Sequence, residues 1–299
     1  MTDENESGLS STFAGRQLGR GLREMREKTR PKMSRDAAAA ALEIGANTLW
    51  RYESGHIGRL SRRTLTALCE LYGAPTEVTD HMLALLKDAK MPNLWQGYRQ
   101  AVPSDFEAFV GLEQSARFVS TFQSALLPGL LQTPAYRRSL SHTIHPDLPQ
   151  DVLDRRMALL GERQRRLTEP SERFQLQAIL EESVIRRIGI GGAEVQVEQL
   201  THLARLATQR NVNIRVVPQD AAHVGLETGS FTIMDFPSEK VGGIVEPPLV
   251  FIEGFTAAQY IADESDVHQY RVAYAAIEKA ALSQAKSRAL ILKIAKEYV

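Results

Sequence analysis

Apolar residues return every three or four positions over most of residues 13–90, and then the period changes. Leu18, Leu22 and Met25 share one face of a helix expected over 15–30, which Pro31 ends. Leu65, Leu68 and Leu71 or Tyr72 do the same over 61–72, where Gly73-Ala74-Pro75 is the stop, and Met82, Leu83, Leu85 and Leu86 mark a helix over 78–89. Between them lies residues 34–55, SRDAAAAALEIGANTLWRYESG, which reads as two short helices joined by a tight turn. The Ser34 hydroxyl can accept a bond from a free N–H of the first turn, and Asp36 sits at the positive end of the helix dipole. Ala37 to Ala41 favour a helix and have no bulk, so a second helix can approach closely. Leu42 and Ile44 bracket the turn and point inward, and Gly45 and Asn47 suit a helix start. Leu49 and Tyr52 pack on the first helix, which leaves Ala46, Asn47, Trp50 and Arg51 on the other face; Gly55 ends the second.

After Lys90-Met91-Pro92-Asn93, taken as a boundary, come the aromatic residues Trp95, Tyr98, Phe106 and Phe109. Phe109, Leu112, Glu113, Ala116 and Val119 predict a helix around 104–121. Pro128-Gly129 marks a turn, and Thr133-Pro134 a helix start. Residues 149–168 predict a helix whose charges, Arg155, Arg156, Glu162, Arg163, Arg165 and Arg166, read as a solvated face, with a second nucleic-acid contact as the alternative. Phe174, Leu176, Ala178 and Leu180 then alternate with polar residues, as in a strand. A helix over 194–209 and a strand over 211–218 complete a βαβ unit with a parallel pair. Strands are expected at 231–236 and 249–253, and helices from 265 to the end, with a break near Leu282-Ser283. The fold class is therefore α+β or α/β: an all-α five-helix domain followed by a larger mixed domain with a C-terminal helical segment.

Length supports this division, since 299 residues suit about two domains: a tail over 1–12, a helical domain over 13–90 and a mixed domain over 95–299. Net charge is zero, but its distribution is uneven. Residues 13–75 hold twelve Lys and Arg against six Asp and Glu. A basic module on a mildly acidic body suits phosphate contacts. Cys69, alone of its kind, excludes an intrachain disulfide and falls among leucines as a core thiol. No signal sequence and no long apolar run is read from the chain, so a soluble cytoplasmic, nucleoid-associated protein is expected, with no membrane partner.

Residues 34–55 resemble the helix-turn-helix of the Cro/C1-type (Xre) regulators. Ser34, Ala39, Leu42, Ile44, Leu49, Arg51, Glu53 and Gly55 match in register, while Arg35, Ala38 and Glu43 stand where that family has Gln, Leu and the turn Gly. The resemblance implies that Ala46, Asn47 and Arg51 face bases of double-stranded DNA, and that Arg35, Thr48, Trp50 and Arg59 meet its backbone. Asn suits adenine and Arg suits guanine, each through paired hydrogen bonds. A second resemblance, over about 95–298, is to the DUF5753 domain. It is carried by Glu113 and Ala116, Pro128-Gly-Leu-Leu-Gln-Thr-Pro-Ala-Tyr136, Leu180-Glu-Glu-x-Val184, Glu198-Gln-Leu-x-x-Leu203 and Asn213-Ile-Arg-Val-Val-Pro218. It implies an actinobacterial transcription regulator, with an antitoxin-like pairing to a small companion protein of the DUF397 type as one alternative and a small-molecule effector as another. A homodimer on an inverted repeat is expected.

Chemistry-bearing patterns are weak. His142 and His145, with Asp147, lack the further ligands of a metal site. Gly189-Ile-Gly-Gly192 lacks the Lys-Ser/Thr of a phosphate loop and reads as a plain turn. Glu181 and Glu182, being adjacent, point apart and are expected to cap or to pair with Arg186 or Arg187. No nucleophile, base or metal motif is present, so no enzyme, no metal and no cofactor is expected.

Overall fold

The computed structural model describes residues 13–90, 104–168, 174–187, 189–237 and 246–298. Trp95 and Tyr98 lie outside them, as does the expected tail. The chain forms two compact units, one of residues 1–97, 103–115 and 237–246, the other of residues 98–102, 116–236 and 247–299.

The first unit holds six helices among the described residues: α1 (Phe13–Lys28), α2 (Arg35–Ala41), α3 (Ala46–Glu53), α4 (Arg62–Leu71), α5 (Thr76–Lys90) and α6 (Ser104–Ser115). The stripes expected from spacing are its core: Leu18 and Leu22 of α1, Leu49 and Tyr52 of α3, Leu65, Leu68 and Cys69 of α4, and Met82 of α5 are buried. Burial pushes the Cys69 thiol pKa up, which keeps it an unreactive core group.

The second unit is built on one six-stranded sheet. Its strands are β1 (Phe118–Gln123), β2 (Gln175–Glu181), β3 (Val212–Val217), β4 (Phe231–Asp235), β5 (Leu249–Glu253) and β6 (Ala258–Ile261), in the order β3-β2-β1-β4-β5-β6. β1, β2 and β3 run parallel, with Val119 beside Leu176 and Leu176 beside Val212. β4, β5 and β6 add antiparallel. The connections carry α7 (Pro134–Ile144), α8 (Gln150–Thr168), α9 (Glu182–Ile185), α10 (Gly192–Leu206) and α11 (Gly225–Thr228); α12 (Glu264–Ala280) and α13 (Gln284–Lys296) follow the sheet. The expected βαβ unit is β2-α10-β3, and the break in the C-terminal helices falls at Ser283, whose hydroxyl caps α13.

Two expectations need correction. The helix expected over 104–121 stops at Ser115, and 118–123 is a central strand. The apolar spacing fitted a helix, but Phe-Val-Ser-Thr-Phe suits a pleated surface, and pairing on both sides overrides the local pattern. The charged face of α8 is not wholly solvated: Arg163 is buried. The short edge strand β6 was not foreseen.

The Pro128-Gly-Leu-Leu-Gln-Thr133 string forms a single 3-10 turn, Gly129–Leu131, leading into α7, which Thr133 caps. Buried Gln199 of α10 locks that turn: it accepts from the Thr133 N–H at 2.7 Å and donates to the Leu131 carbonyl at 2.8 Å. Among the described residues no helix is long and apolar enough to cross a membrane.

Candidate nucleic-acid interface

Ser34 accepts from the Ala37 N–H at 3.1 Å and so starts α2 as its hydroxyl predicts. The turn after α2 closes with the Ile44 N–H on the Ala39 carbonyl and the Glu43 N–H on the Ala40 carbonyl. This is a Schellman end, whose C′ residue is left-handed. The residue there is Glu43, with φ of 53°. The ends of α3 and α4 repeat the pattern with Gly55 (φ 86°) and Gly73 (φ 69°). Glu43 therefore preserves the turn where the resembled family has glycine, against the steric preference of an L side chain.

One face of α3 is buried through Leu49, Tyr52 and Glu53. On the rest, Asn47 and Arg51 are exposed and Ala46, Thr48 and Trp50 are half-buried. The end of α3 is held by direct backbone contact with α1. A Cβ on Gly19 would lie 2.6 Å from the Tyr52 carbonyl oxygen and 2.7 Å from the Gly55 nitrogen, so only glycine fits.

Glu53 is the polar anchor beneath this helix. Its side chain is wholly buried and receives Arg26 from α1 in a two-pronged pair, Nε to Oε1 at 2.6 Å and Nη2 to Oε2 at 2.9 Å. Arg26 also donates through Nη1 to the Met33 carbonyl at 3.1 Å, which ties in the chain just before α2. The bond to Glu53 raises the Arg26 pKa despite burial. Arg35 sends Nε to the same carboxylate at 3.3 Å. The residue expected to meet the DNA backbone is thus also part of the network under α3.

The basic residues divide by role. Arg23, Arg26 and Arg35 converge on Glu53. Arg16 and Arg20 converge on buried Glu246, at 3.8 and 3.3 Å, and burial raises that carboxyl while the two arginines lower it. Lys32, Arg51, Arg59, Arg62 and Arg63 are exposed and form no ion pair among the described residues. Arg62 and Arg63, in the first turn of α4, were not singled out from sequence; their place on the polar side of the Leu65-Leu68 stripe was the available signal. Arg26 was missed too, although it continues the Leu18-Leu22 stripe at four-residue spacing.

Other patterned residues resolve plainly. His142, His145 and Asp147 are exposed, and no group of three metal-type ligands occurs among the described residues. Gly191 and Gly192 have positive φ and form the turn into α10. Glu182 pairs with Arg186 at 2.6 Å, while Glu181 faces His223 at 3.5 Å.

Two family models match the chain. A family described as a helix-turn-helix domain matches residues 17–82, and a domain of unknown function, DUF5753, matches residues 106–293. No curated protein and no solved structure matches the chain.

Proposed function

The chain belongs to the DUF5753 family and carries a helix-turn-helix domain before that region, and from this premise we propose that it is a sequence-specific DNA-binding transcription regulator. The observation that carries the reading is α3 itself: a helix anchored by Leu49, Tyr52 and Glu53 that presents Asn47 and Arg51 to solvent. An α-helix fits the major groove, where these two side-chain types read adenine and guanine. Ala46 lies beside them against the bases. Thr48, Trp50, Arg35 and Arg59 meet the phosphates, joined by Arg62 and Arg63. The regulator acts as a homodimer on an inverted repeat, its two α3 helices one helical turn apart. The larger unit receives the signal and performs no catalysis; the cytoplasm, with the nucleoid, is its place of work.

Fluorescence anisotropy tests this with the full chain, duplex DNA from its own upstream region and a scrambled control, at two salt concentrations. Selective binding that weakens as salt rises is expected. Arg51→Ala should remove about 1–3 kcal/mol of discrimination at one base pair. Equal binding of both duplexes by the unaltered protein, or an Arg51→Ala variant with unchanged preference, overturns the reading of α3.

A further inference from the structure

β4 begins where β1 ends, because Phe231 pairs with Phe122, and β5 ends beside that point, because Phe251 pairs with Thr232. The loop that carries α11 into β4 and the hairpin that joins β5 to β6 therefore leave the same end of the sheet on neighbouring strands. The parallel strands β1, β2 and β3 finish at that end too, the end at which open sheets of this kind carry their binding sites. Five large apolar side chains are exposed among the described residues, and three of them, Val224, Leu226 and Phe255, sit on these two connections. Leu226 is 72% exposed and Phe255 wholly so. Both are held out by close packing beneath them. The Gly225 N–H donates to His223 Nδ1 at 3.1 Å, and the His223 ring meets Phe122 edge-on at 5.6 Å. A Cβ on Gly225 would lie 2.6 Å from the Phe122 ring, so the backbone of α11 is pressed against the sheet while its neighbours on either side are left to solvent. In the hairpin a Cβ on Gly254 would collide with the Ala257 carbonyl, so the turn closes tightly under Phe255. The charge here has one sign. Asp220, Glu227 and Glu253 are exposed, and residues 218–230 and 249–261 contain no Lys or Arg. None of the three carboxylates forms an ion pair with a described residue, although the field of Arg137 reaches Glu253.

We propose that this end of the sheet unit is a docking surface for a basic amphipathic segment of another protein, its apolar side chains against Val224, Leu226 and Phe255 and its Lys or Arg beside Asp220, Glu227 and Glu253. Exposed apolar groups rimmed by polar ones mark interaction surfaces, and charge chooses among the occupants. A nucleic acid or an anionic lipid surface would meet three carboxylates. A second copy docked about a two-fold axis would set the same carboxylates against their own copies. A basic segment meets opposite charge at the rim and apolar surface at the centre. The inference rests on the reading of the larger unit as the receiver of a signal, and gives that signal a stated chemistry. Its test needs no DNA.

The probe is a fluorescein-labelled synthetic helix of leucine and lysine with its leucines on one face, titrated with the full chain and read by fluorescence anisotropy. One control holds the same residues in scrambled order, and another has glutamate in place of lysine. Saturable binding of the probe, weakening as salt rises, and no such binding of the controls is expected. Leu226→Ser with Phe255→Ser should weaken it about tenfold, as loss of apolar anchors does. Glu227→Gln with Glu253→Gln should weaken it less and flatten the salt dependence. All four positions are exposed, so the circular dichroism and melting temperature of both variants should match those of the unaltered protein. Selective DNA binding should survive in both, so failure of this proposal is told from failure of the DNA-binding reading. Binding that does not saturate, equal binding of the glutamate peptide, or unchanged binding by either variant overturns the proposal. So does self-association in sedimentation that Leu226→Ser with Phe255→Ser abolishes, which would make this face an interface between copies.

Discussion

Arg26 in the helical unit and Arg137 in the sheet unit are both arginines removed from bulk water, and they sit in opposite electrostatic circumstances. Arg26 meets a wholly buried carboxylate in a two-pronged pair and gives its remaining nitrogen to a carbonyl, and its pKa rises. The Arg137 guanidinium makes no hydrogen bond or ion pair with any described residue, and burial first, with Arg163 and Arg156 after it, pushes its pKa down. A buried charge that finds its counter-charge within the fold serves architecture. One that pairs with no counter-charge carries the cost of its burial unrelieved. Burial lowers both, so it is the counter-charge that sets the two shifts in opposite directions.

The largest effect comes from breaking the paired case. Glu53→Ala leaves Arg26 buried without a carboxylate, and removing one partner of such a pair costs roughly 3–5 kcal/mol. Chemical denaturation of the full chain should show this loss in the transition of the helical unit. Replacing both partners, Arg26→Met with Glu53→Leu, should recover most of it, because no orphaned charge remains. A loss that persists in the double variant would mean that Glu53 acts through Arg23 and Arg35 instead. In the sheet unit the sign should reverse: Arg137→Gln removes a charge that burial disfavours and that pairs with no described residue, and should raise the melting temperature.

These two arrangements were unequally legible. The helical domain followed from spacing, because each helix buries a single stripe, and Ser34, Gly55 and Gly73 mark ends whose chemistry is local. The same locality failed at Phe118–Gln123, where strand partners distant in sequence decide the structure. Asn47 and Arg51 were placed by elimination, as what remains when Leu49 and Tyr52 turn inward. Arg26, Arg156 and Arg163 were not, since an arginine on an apolar stripe was counted with the charges rather than with the stripe. Glu53 was visible as a motif position, and its role as an anchor needed the long-range contact with α1. Gly19 inside the first helix was the clearest unused signal, because a mid-helix glycine costs about 1 kcal/mol against alanine and calls for a packing reason.

Glu43 gives a second, smaller test of whether an unfavourable local choice in the helical unit is architectural. It holds φ of 53° in a turn that Gly55 and Gly73 make at the ends of α3 and α4. Left-handed backbone costs an L residue about 1–2 kcal/mol, and glycine's greater freedom in the unfolded chain returns part of the gain. Glu43→Gly should therefore stabilise the helical unit by roughly 0.5–1 kcal/mol. Unchanged or reduced stability would mean that the glutamate side chain stabilises the turn by more than its backbone costs.

The smallest effect tests whether the governing variable is the unit or the pairing. His56 follows Gly55 in the helical unit, yet it resembles Arg137: its Nδ1 is buried without a hydrogen-bond partner among the described residues, and burial first and Arg51 second push its pKa down. A histidine lowered in the folded state binds protons less readily than in the unfolded chain. Its contribution to stability is complete above the ordinary value near 6.5 and is lost as pH falls towards the lowered one. His81 and His202 are lowered too, so the whole chain weakens in the same window and a comparison must isolate His56. His56→Gln is neutral throughout, and its stability relative to the unaltered protein should improve steadily between pH 7 and 5, about the span where histidine titrates. Parallel curves would show that His56 titrates as freely folded as unfolded. Arg51→Ala removes only the second cause and should leave most of the slope, so an uncompensated charge in the helical unit would behave as one does in the sheet unit, and pairing, rather than location, would set the direction of the shift.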